Sequence, residues 1–108
     1  MKKVRLKRVE IADSVFSRAT GLMFRRKINR PLIFTFPFPA RHALHSFFVF
    51  FQFDAVFLDD CKKVVEVRER IAPFTPLVLP KTPVKYVVEL PAGEAKRKRL
   101  RRGMRVSW

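Results

Sequence analysis

The sequence predicts a single domain over residues 1–108, α+β in class but mainly β, with a small barrel-like or strongly curled sheet and two short helices. Apolar stretches of about five to eight residues alternate with turn-forming residues, which is the pattern of short strands. The hydrophobic fraction of 48% argues against disorder, and 108 residues suffice for one core. Because many short strands leave many exposed edges, a sheet that curls or closes is favoured.

The first half of the chain is predicted to hold four strands and one helix. Alternating Val, Leu and Ile residues indicate a strand over 4–11, with a β-bulge where the alternation slips. A polar cap, followed by apolar residues and then a glycine, indicates a helix over 13–20. Alternating phenylalanines indicate a strand over 33–38, and the Phe-rich stretch after it is predicted to form two more, over 45–51 and 53–59.

The second half begins with a polar turn at 59–63. Its strands are predicted over 64–71, 84–90 and 104–108. Prolines mark a long loop at 73–83, and a short basic helix is expected over 94–101, directly after a Pro-Ala-Gly turn.

The composition is strongly basic, with 24 Lys and Arg residues against nine Asp and Glu residues and a net charge of +15. A charge this large attracts polyanions such as RNA, DNA or anionic lipid. Asn29 and Gln52 are the only side-chain amides, and the chain has eight prolines. Both features indicate a thermophilic prokaryotic source, with an archaeon favoured.

Neither a secretory leader nor a membrane span is visible in the sequence. Residues 1–10 lack the apolar core of a signal peptide, and the apolar run at 47–53 is far shorter than the roughly 20 residues of a spanning helix. A single cysteine forms no internal disulfide, which fits a reducing compartment. We therefore expect a cytoplasmic protein.

The most unusual feature is a carboxylate, Asp54, inside the most apolar stretch of the chain, residues 45–60. Burying an unpaired carboxylate costs several kcal/mol, so this side chain must lie at a strand end, meet a donor or lose its charge. It could accept hydrogen bonds from backbone N–H groups, pair with a guanidinium such as that of Arg25, or face a ligand. We favour an internal partner, and the sequence leaves open which one.

Three segments occur in the order and spacing of one known family. They are 18–25 (RATGLMFR), 53–59 (FDAVFLD), and 89–93 (ELPAG) followed by 103–106 (GMRV). On these motifs the chain resembles the uncharacterised family called domain of unknown function 192 (DUF192) over nearly its whole length. The resemblance implies a compact, β-rich domain with short helices, and it implies no activity.

The chain departs from the family pattern just before Asp54. Many members have a Trp-Met-Lys-Asn-Thr-like stretch there and a proline two residues ahead of the aspartate, whereas this chain has His-Ser-Phe-Phe-Val at 45–49 and Gln52. The lysine and asparagine are therefore missing from any ligand site that they serve in other members.

The family motifs imply a polar pocket lined by Arg25, Asp54 and Glu89, and the leading hypothesis is a non-enzymatic binding module for an unknown small molecule. The alternative is binding of RNA, DNA or another polyanion by two clusters of cations. The candidate cations are Arg26, Lys27, Lys96, Arg97, Lys98, Arg99, Arg101 and Arg102. An enzyme that uses Asp54 as a base is the least favoured class, because no partner residue can be named.

No catalytic residue, metal site or cofactor is predicted. His42 and His45 would point to opposite faces of an extended segment, and a zinc site needs three or four convergent ligands. The neighbours His45 and Ser46 would also point apart, which argues against a hydrolase triad. The oligomeric state is left open.

Overall fold

The computed structural model describes residues 2–14, 17–18 and 21–108, and it is mainly β, as the sequence predicts. Seven strands and one short helix are defined among these residues. They are β1 (Lys3–Arg5), β2 (Glu10–Ala12), β3 (Leu32–Ala40), β4 (Phe53–Leu58), β5 (Val64–Ile71), β6 (Val84–Pro91), α1 (Glu94–Arg97) and β7 (Arg105–Ser107). The strands predicted over 33–38, 53–59, 64–71, 84–90 and 104–108 are thereby confirmed, apart from small differences in their bounds.

The strands form an open five-stranded sheet, in the order β2-β3-β6-β4-β5, and a separate β1-β7 pair. The pairs β3–β6, β6–β4 and β4–β5 are antiparallel, whereas β2–β3 and β1–β7 are parallel. Neither sheet closes, so the predicted barrel-like arrangement is not confirmed. The described loops and the segments near both chain ends cover an open sheet instead.

The strand predicted over 4–11 is in fact two strands that belong to different sheets. β1 lies beside β7, whereas β2 lies beside β3. Between them Leu6 is buried and donates its N–H to the carbonyl of Ser107, and Arg8 has a left-handed φ of 54°. The slip in the apolar alternation therefore marks a change of sheet and not a bulge within one strand.

The helix predicted over 94–101 is confirmed only in its first half. Arg99 adopts a left-handed φ of 55°, and Leu100 N–H donates to the carbonyl of Ala95. This is the hydrogen bond of a Schellman cap, which ends the helix and turns Leu100 into the core.

The other predicted helix, over 13–20, is described only in part. Ser17 and Arg18 have helical backbone, and Arg18 N–H donates to the carbonyl of Ser14. The residues of the prediction that lie outside the described part of the chain are Val15, Phe16, Ala19 and Thr20. None of the helices in the described ranges is long and apolar enough to cross a membrane.

The prediction of a strand over 45–51 is wrong. This segment is a loop, and it forms hydrogen bonds with the loop between β5 and β6. The Ser46 hydroxyl donates to the carbonyl of Ala72 and accepts the N–H of Thr75, both at 2.6 Å. Phe48 has a left-handed φ of 57°, which no extended strand allows. A buried serine thus takes the place of strand pairing in this Phe-rich stretch.

Both faces of the sheet are buried at its centre, where all six residues of β4 are buried. One face, which we call the pocket face, packs against loops; its core includes Phe53, Ala55, Phe57, Leu22, Leu44 and Val49. The other, which we call the helix face, packs against α1 and β7; its core includes Val56, Leu58, Ala95, Leu100 and Val106. A strand buried on both faces has apolar residues on both, which explains why every residue of β4 except Asp54 is apolar.

Candidate functional site

Asp54 lies on the helix face of β4 and is fully buried. Its Oδ1 accepts the N–H of Arg70 at 2.9 Å, and its Oδ2 accepts the N–H groups of Gly93 and Ala95, both at 3.0 Å. Each hydrogen bond to a charged acceptor is worth about 1.5–3 kcal/mol, so three of them offset the cost of burial. The carboxylate therefore ties the end of β5 to the start of α1.

Arg25 does not pair with Asp54. It forms a bidentate ion pair with Glu10 of β2, with Nη1 to Oε2 at 2.7 Å and Nη2 to Oε1 at 2.6 Å. The hydrogen bonds from Arg25 hold the pKa of Glu10 below its usual value. The prediction that Asp54 accepts hydrogen bonds from backbone N–H groups is therefore confirmed. The prediction that it pairs with the Arg25 guanidinium is wrong.

Glu89 is a buried carboxyl group, and one of its oxygens has no hydrogen-bond partner among the described residues. It lies on the pocket face of β6, between Leu32 of β3 and Ala55 of β4, and only 3% of it is exposed. No described residue forms a hydrogen bond with its Oε1. Burial raises the pKa of Glu89 to about 8, although the nearby charge of Arg25 opposes the shift. At neutral pH this carboxyl is therefore mostly protonated.

A cavity of about 240 Å³ is lined in part by Glu89. We call it the Glu89 pocket. Its apolar walls come from β3, from the loop that precedes it and from the loop after it. The apolar side chains are those of Leu22, Met23, Phe34, Phe36, Leu44 and Val49.

Two further polar side chains line the Glu89 pocket. The guanidinium of Arg18 lies 5.4 Å from the centre of the Phe36 ring. His45 is exposed, and its Nδ1 accepts the N–H of Phe47 at 3.2 Å, which leaves Nε2 as the protonated nitrogen of the neutral ring. Because Glu89 is buried and His45 is exposed, the carboxyl lies at the inner end of the pocket and the imidazole at its rim.

Gly21 lets the loop approach the pocket wall closely. A Cβ at this position would lie 2.8 Å from Cζ of Phe34, and its φ of +41° is unfavourable for other residues. Any side chain here would displace the Phe34 ring that lines the pocket. The glycine of the first family motif thus has a direct role in shaping the site.

The structure does not bring the three predicted pocket residues together. Asp54 and Glu89 lie on opposite faces of one sheet, and Arg25 lies close to Glu89 without lining the pocket. The sequence reasoning missed Arg18 and Met23 as lining residues, although both belong to the motif at 18–25. Their proximity to Glu89 depends on a loop path that no local pattern encodes.

A wider cavity of about 690 Å³ is lined by residues of β5, by Gly93 and by residues of α1 and the segment that follows it. We call it the basic groove, because its lining contains five cations and one acid, Glu69. The cations are Arg70, Lys96, Arg99, Arg101 and Arg102. Asp54 supports this groove, since it holds the backbone of both Arg70 and Gly93.

Half of the predicted polyanion-binding cations lie outside the basic groove. Arg97 forms a bidentate pair with Glu94, at 2.6 and 2.7 Å, and Lys98 lies 4.0 Å from the same carboxylate. Arg26 and Lys27 are exposed in the loop before β3. Only Lys96, Arg99, Arg101 and Arg102 line the groove, joined by Arg70, which the sequence did not single out.

Among the described residues, one group has the spacing to hold a metal ion: Asp59, Asp60 and Cys61 in the turn between β4 and β5. Asp59 Oδ1 already accepts the N–H groups of Cys61 and Lys63, both at 2.9 Å. This carboxylate shapes an exposed turn, as polar residues at such positions commonly do.

Comparison with known proteins extends the family resemblance. The profile of DUF192, described as an uncharacterised ACR family, matches residues 2–108. A UPF0127 protein of Pyrococcus abyssi is 39% identical over 103 residues, which cover 94% of this chain and 86% of that protein. A UPF0127 protein of Thermococcus sibiricus is 38% identical over 84% of this chain, and the match spans 59% of that longer protein. These relatives agree with the predicted archaeal, thermophilic source.

A solved structure shares the fold. The crystal structure of a candidate transcription regulator from Sinorhizobium meliloti superposes with a TM-score of 0.83. The two sequences are 26% identical, and the match covers 88% of this chain and 76% of that one.

Proposed function

We propose that this chain, which belongs to the DUF192 family, is a non-enzymatic binding module that holds a small, partly apolar molecule in the Glu89 pocket. The observation that carries the proposal is the buried Oε1 of Glu89, which meets no donor or acceptor among the described residues. A buried polar atom without a partner costs about 1–3 kcal/mol, so a ligand that supplies a partner recovers part of that cost on binding.

The chemistry of the pocket favours an uncharged polar group on an apolar body. Because the pKa of Glu89 is raised to about 8, its carboxyl both donates and accepts hydrogen bonds at neutral pH. A primary carboxamide also has one donor and one acceptor side by side. Its N–H donates to the carbonyl oxygen of the carboxyl and its own carbonyl accepts the carboxyl O–H, so the two groups pair through two hydrogen bonds. A cavity of about 240 Å³ lies below the usual range of about 300–1,000 Å³ for ligand pockets, which favours a small molecule.

We expect isovaleramide to bind the protein more strongly at pH 6 than at pH 9, by about tenfold, because only the protonated carboxyl of Glu89 donates a hydrogen bond to its carbonyl. Isoamylamine, which has a similar apolar body and a cationic head, should show the opposite trend between pH 6 and pH 8, before the amine itself begins to lose its charge. The measurement is two-dimensional NMR titration with each probe, followed at the methyl groups of Leu22, Met23 and Val49.

Two variants test this binding. Glu89→Met removes the hydrogen-bonding group while retaining an apolar side chain of similar length, and it should weaken amide binding at least about tenfold. Ala43→Trp places a ring at the rim from an exposed position and should block both probes. The pocket proposal is wrong if neither probe shifts the lining methyl groups, or if Ala43→Trp leaves both titrations unchanged.

A second candidate function is polyanion binding in the basic groove. It is favoured by the five cations that line one cavity, and by the description of the Sinorhizobium meliloti neighbour as a candidate transcription regulator. Cations grouped in a groove track a phosphate backbone, and their binding releases counterions and depends on salt.

We expect single-stranded RNA or duplex DNA to bind with an affinity that falls steeply between about 50 and 200 mM salt. The variant K96Q/R99Q/R101Q/R102Q should reduce the magnitude of the slope of log affinity against log salt by about three to four, since each lost phosphate contact removes about 0.7–0.9. The control R26Q/K27Q/R97Q/K98Q removes the same charge outside the groove and should change the slope less. Equal losses in a filter-binding assay would show that net charge, and not the groove, determines binding.

A further inference from the structure

Four exposed phenylalanines form one aromatic patch on the loops of the pocket face. They are Phe24, Phe48, Phe50 and Phe74, each between 45% and 68% exposed. Phe24 and Phe48 stack with their centroids 5.0 Å apart, and Phe74 meets Phe48 and Phe50 edge-on at 6.0 and 5.4 Å. Three separate loops thus present their rings as one continuous surface, which is unusual for a protein that works alone in water.

The backbone under three of these rings is strained. Phe24, Phe48 and Phe74 have φ values of 64°, 57° and 58°, in the left-handed region that glycine and asparagine tolerate best. An exposed phenylalanine at such a position contributes little burial and costs free energy through its backbone. A contact outside the chain would bury the exposed part of each ring and offset this cost.

We propose that the aromatic patch docks this protein on a membrane surface that carries anionic headgroups. The three segments that carry the patch, 21–30, 41–53 and 72–82, contain no acidic residue. They do contain exposed cations, among them Arg26 and Lys27, which follow Phe24 by two and three residues, and Lys81. Aromatic rings that enter the boundary between headgroups and acyl chains, flanked by cations that face the headgroups, match both features of a negatively charged bilayer surface.

Two other occupants fit the patch less well. A second copy of this chain would bring the same cations together, in a protein whose net charge is already +15. A single-stranded nucleic acid needs open ring faces on which its bases stack. Here Phe24 and Phe48 cover one face of each other, and Phe74 meets Phe48 edge-on. This proposal uses no property of Glu89 and goes beyond the binding function proposed above.

The test is sedimentation of the protein with vesicles of phosphatidylcholine alone and with vesicles that contain about one-third phosphatidylglycerol. We expect the wild-type protein to sediment with the anionic vesicles and much less with the neutral ones. The variant F24N/F48N/F74N should bind the anionic vesicles at least tenfold more weakly. Because asparagine tolerates a left-handed backbone, this variant should also melt at the same or a higher temperature, which excludes unfolding as the cause.

The matched control is Phe38→Asn, which removes an exposed ring that lies 5.6 Å from His42, outside the aromatic patch. It should leave vesicle binding unchanged. The proposal is overturned if wild-type protein binds neither vesicle, or if the triple variant binds anionic vesicles as well as wild type does. It is also overturned if the triple variant loses affinity for a single-stranded oligonucleotide while wild type ignores both vesicles, since the patch would then stack bases.

Discussion

Asp54→Asn is expected to lower the free energy of unfolding by about 3 kcal/mol or more, because an amide cannot accept the three N–H groups that the carboxylate accepts. Its single oxygen can replace Oδ1 or Oδ2 but not both, and its NH₂ group would face at least one buried donor. Urea unfolding at pH 7 measures the loss directly. Because the same bonds position Arg70 and Gly93, polyanion binding in the basic groove should weaken as well.

Asp59→Asn is the matched control. Asp59 also accepts two backbone N–H groups, but it does so with one oxygen in an exposed turn, which asparagine can reproduce. The free energy of unfolding of the Asp59→Asn variant should fall by less than about 1 kcal/mol. If Asp54→Asn destabilises the protein no more than Asp59→Asn does, then Asp54 does not hold the end of β5 and the start of α1 together.

Glu89→Gln is expected to remove a large part of the pH dependence of stability. The pKa of Glu89 is raised from 4.5 to about 8, so between these pH values the native protein binds a proton that the unfolded chain has released. The stabilisation linked to this proton is complete below pH 4.5 and is lost as the pH rises to 8. The loss amounts to about 3 kcal/mol at pH 7 and about 4 kcal/mol at pH 8.

Unfolding curves of wild type and Glu89→Gln at pH 5, 6, 7 and 8 measure this effect. The variant should gain stability relative to wild type as the pH rises, because glutamine does not titrate. Glu10 and Glu94, whose pKa values are lowered by Arg25 and Arg97, act below pH 4.5 and in the opposite direction. Parallel curves for the two proteins between pH 5 and 8 would mean that Glu89 is solvated in the native state.

The central strands could be predicted from the sequence because their signals are local. The alternation over 64–71 and the apolar run over 55–58 identify β5 and β4 without reference to any other segment. The stretch at 45–51 has the same apolar character, yet it is a loop. Its structure depends on hydrogen bonds between Ser46 and residues 26 and 29 positions away, and no periodicity reveals such partners.

The split of the first predicted strand has a similar cause. Residues 4 and 11 both favour extended backbone, but residue 4 pairs with β7 and residue 11 with β3, and these two strands are far apart in the sequence. An alternation with a period of two predicts that a segment is extended, but it does not predict with which strand that segment pairs. The sequence pattern therefore could not predict that β1 and β2 belong to different sheets.

The sequence by itself determined the mainly β class, the family, the basic charge and the requirement that a buried Asp54 find a partner. Only the tertiary structure decided that the partners are N–H groups 16, 39 and 41 residues away. It also decided that Glu89, on the other face of the sheet, is the carboxyl left short of partners beside a cavity. The physical reason is that burial and donors come from distant segments, whereas composition and periodicity report only on neighbours along the chain.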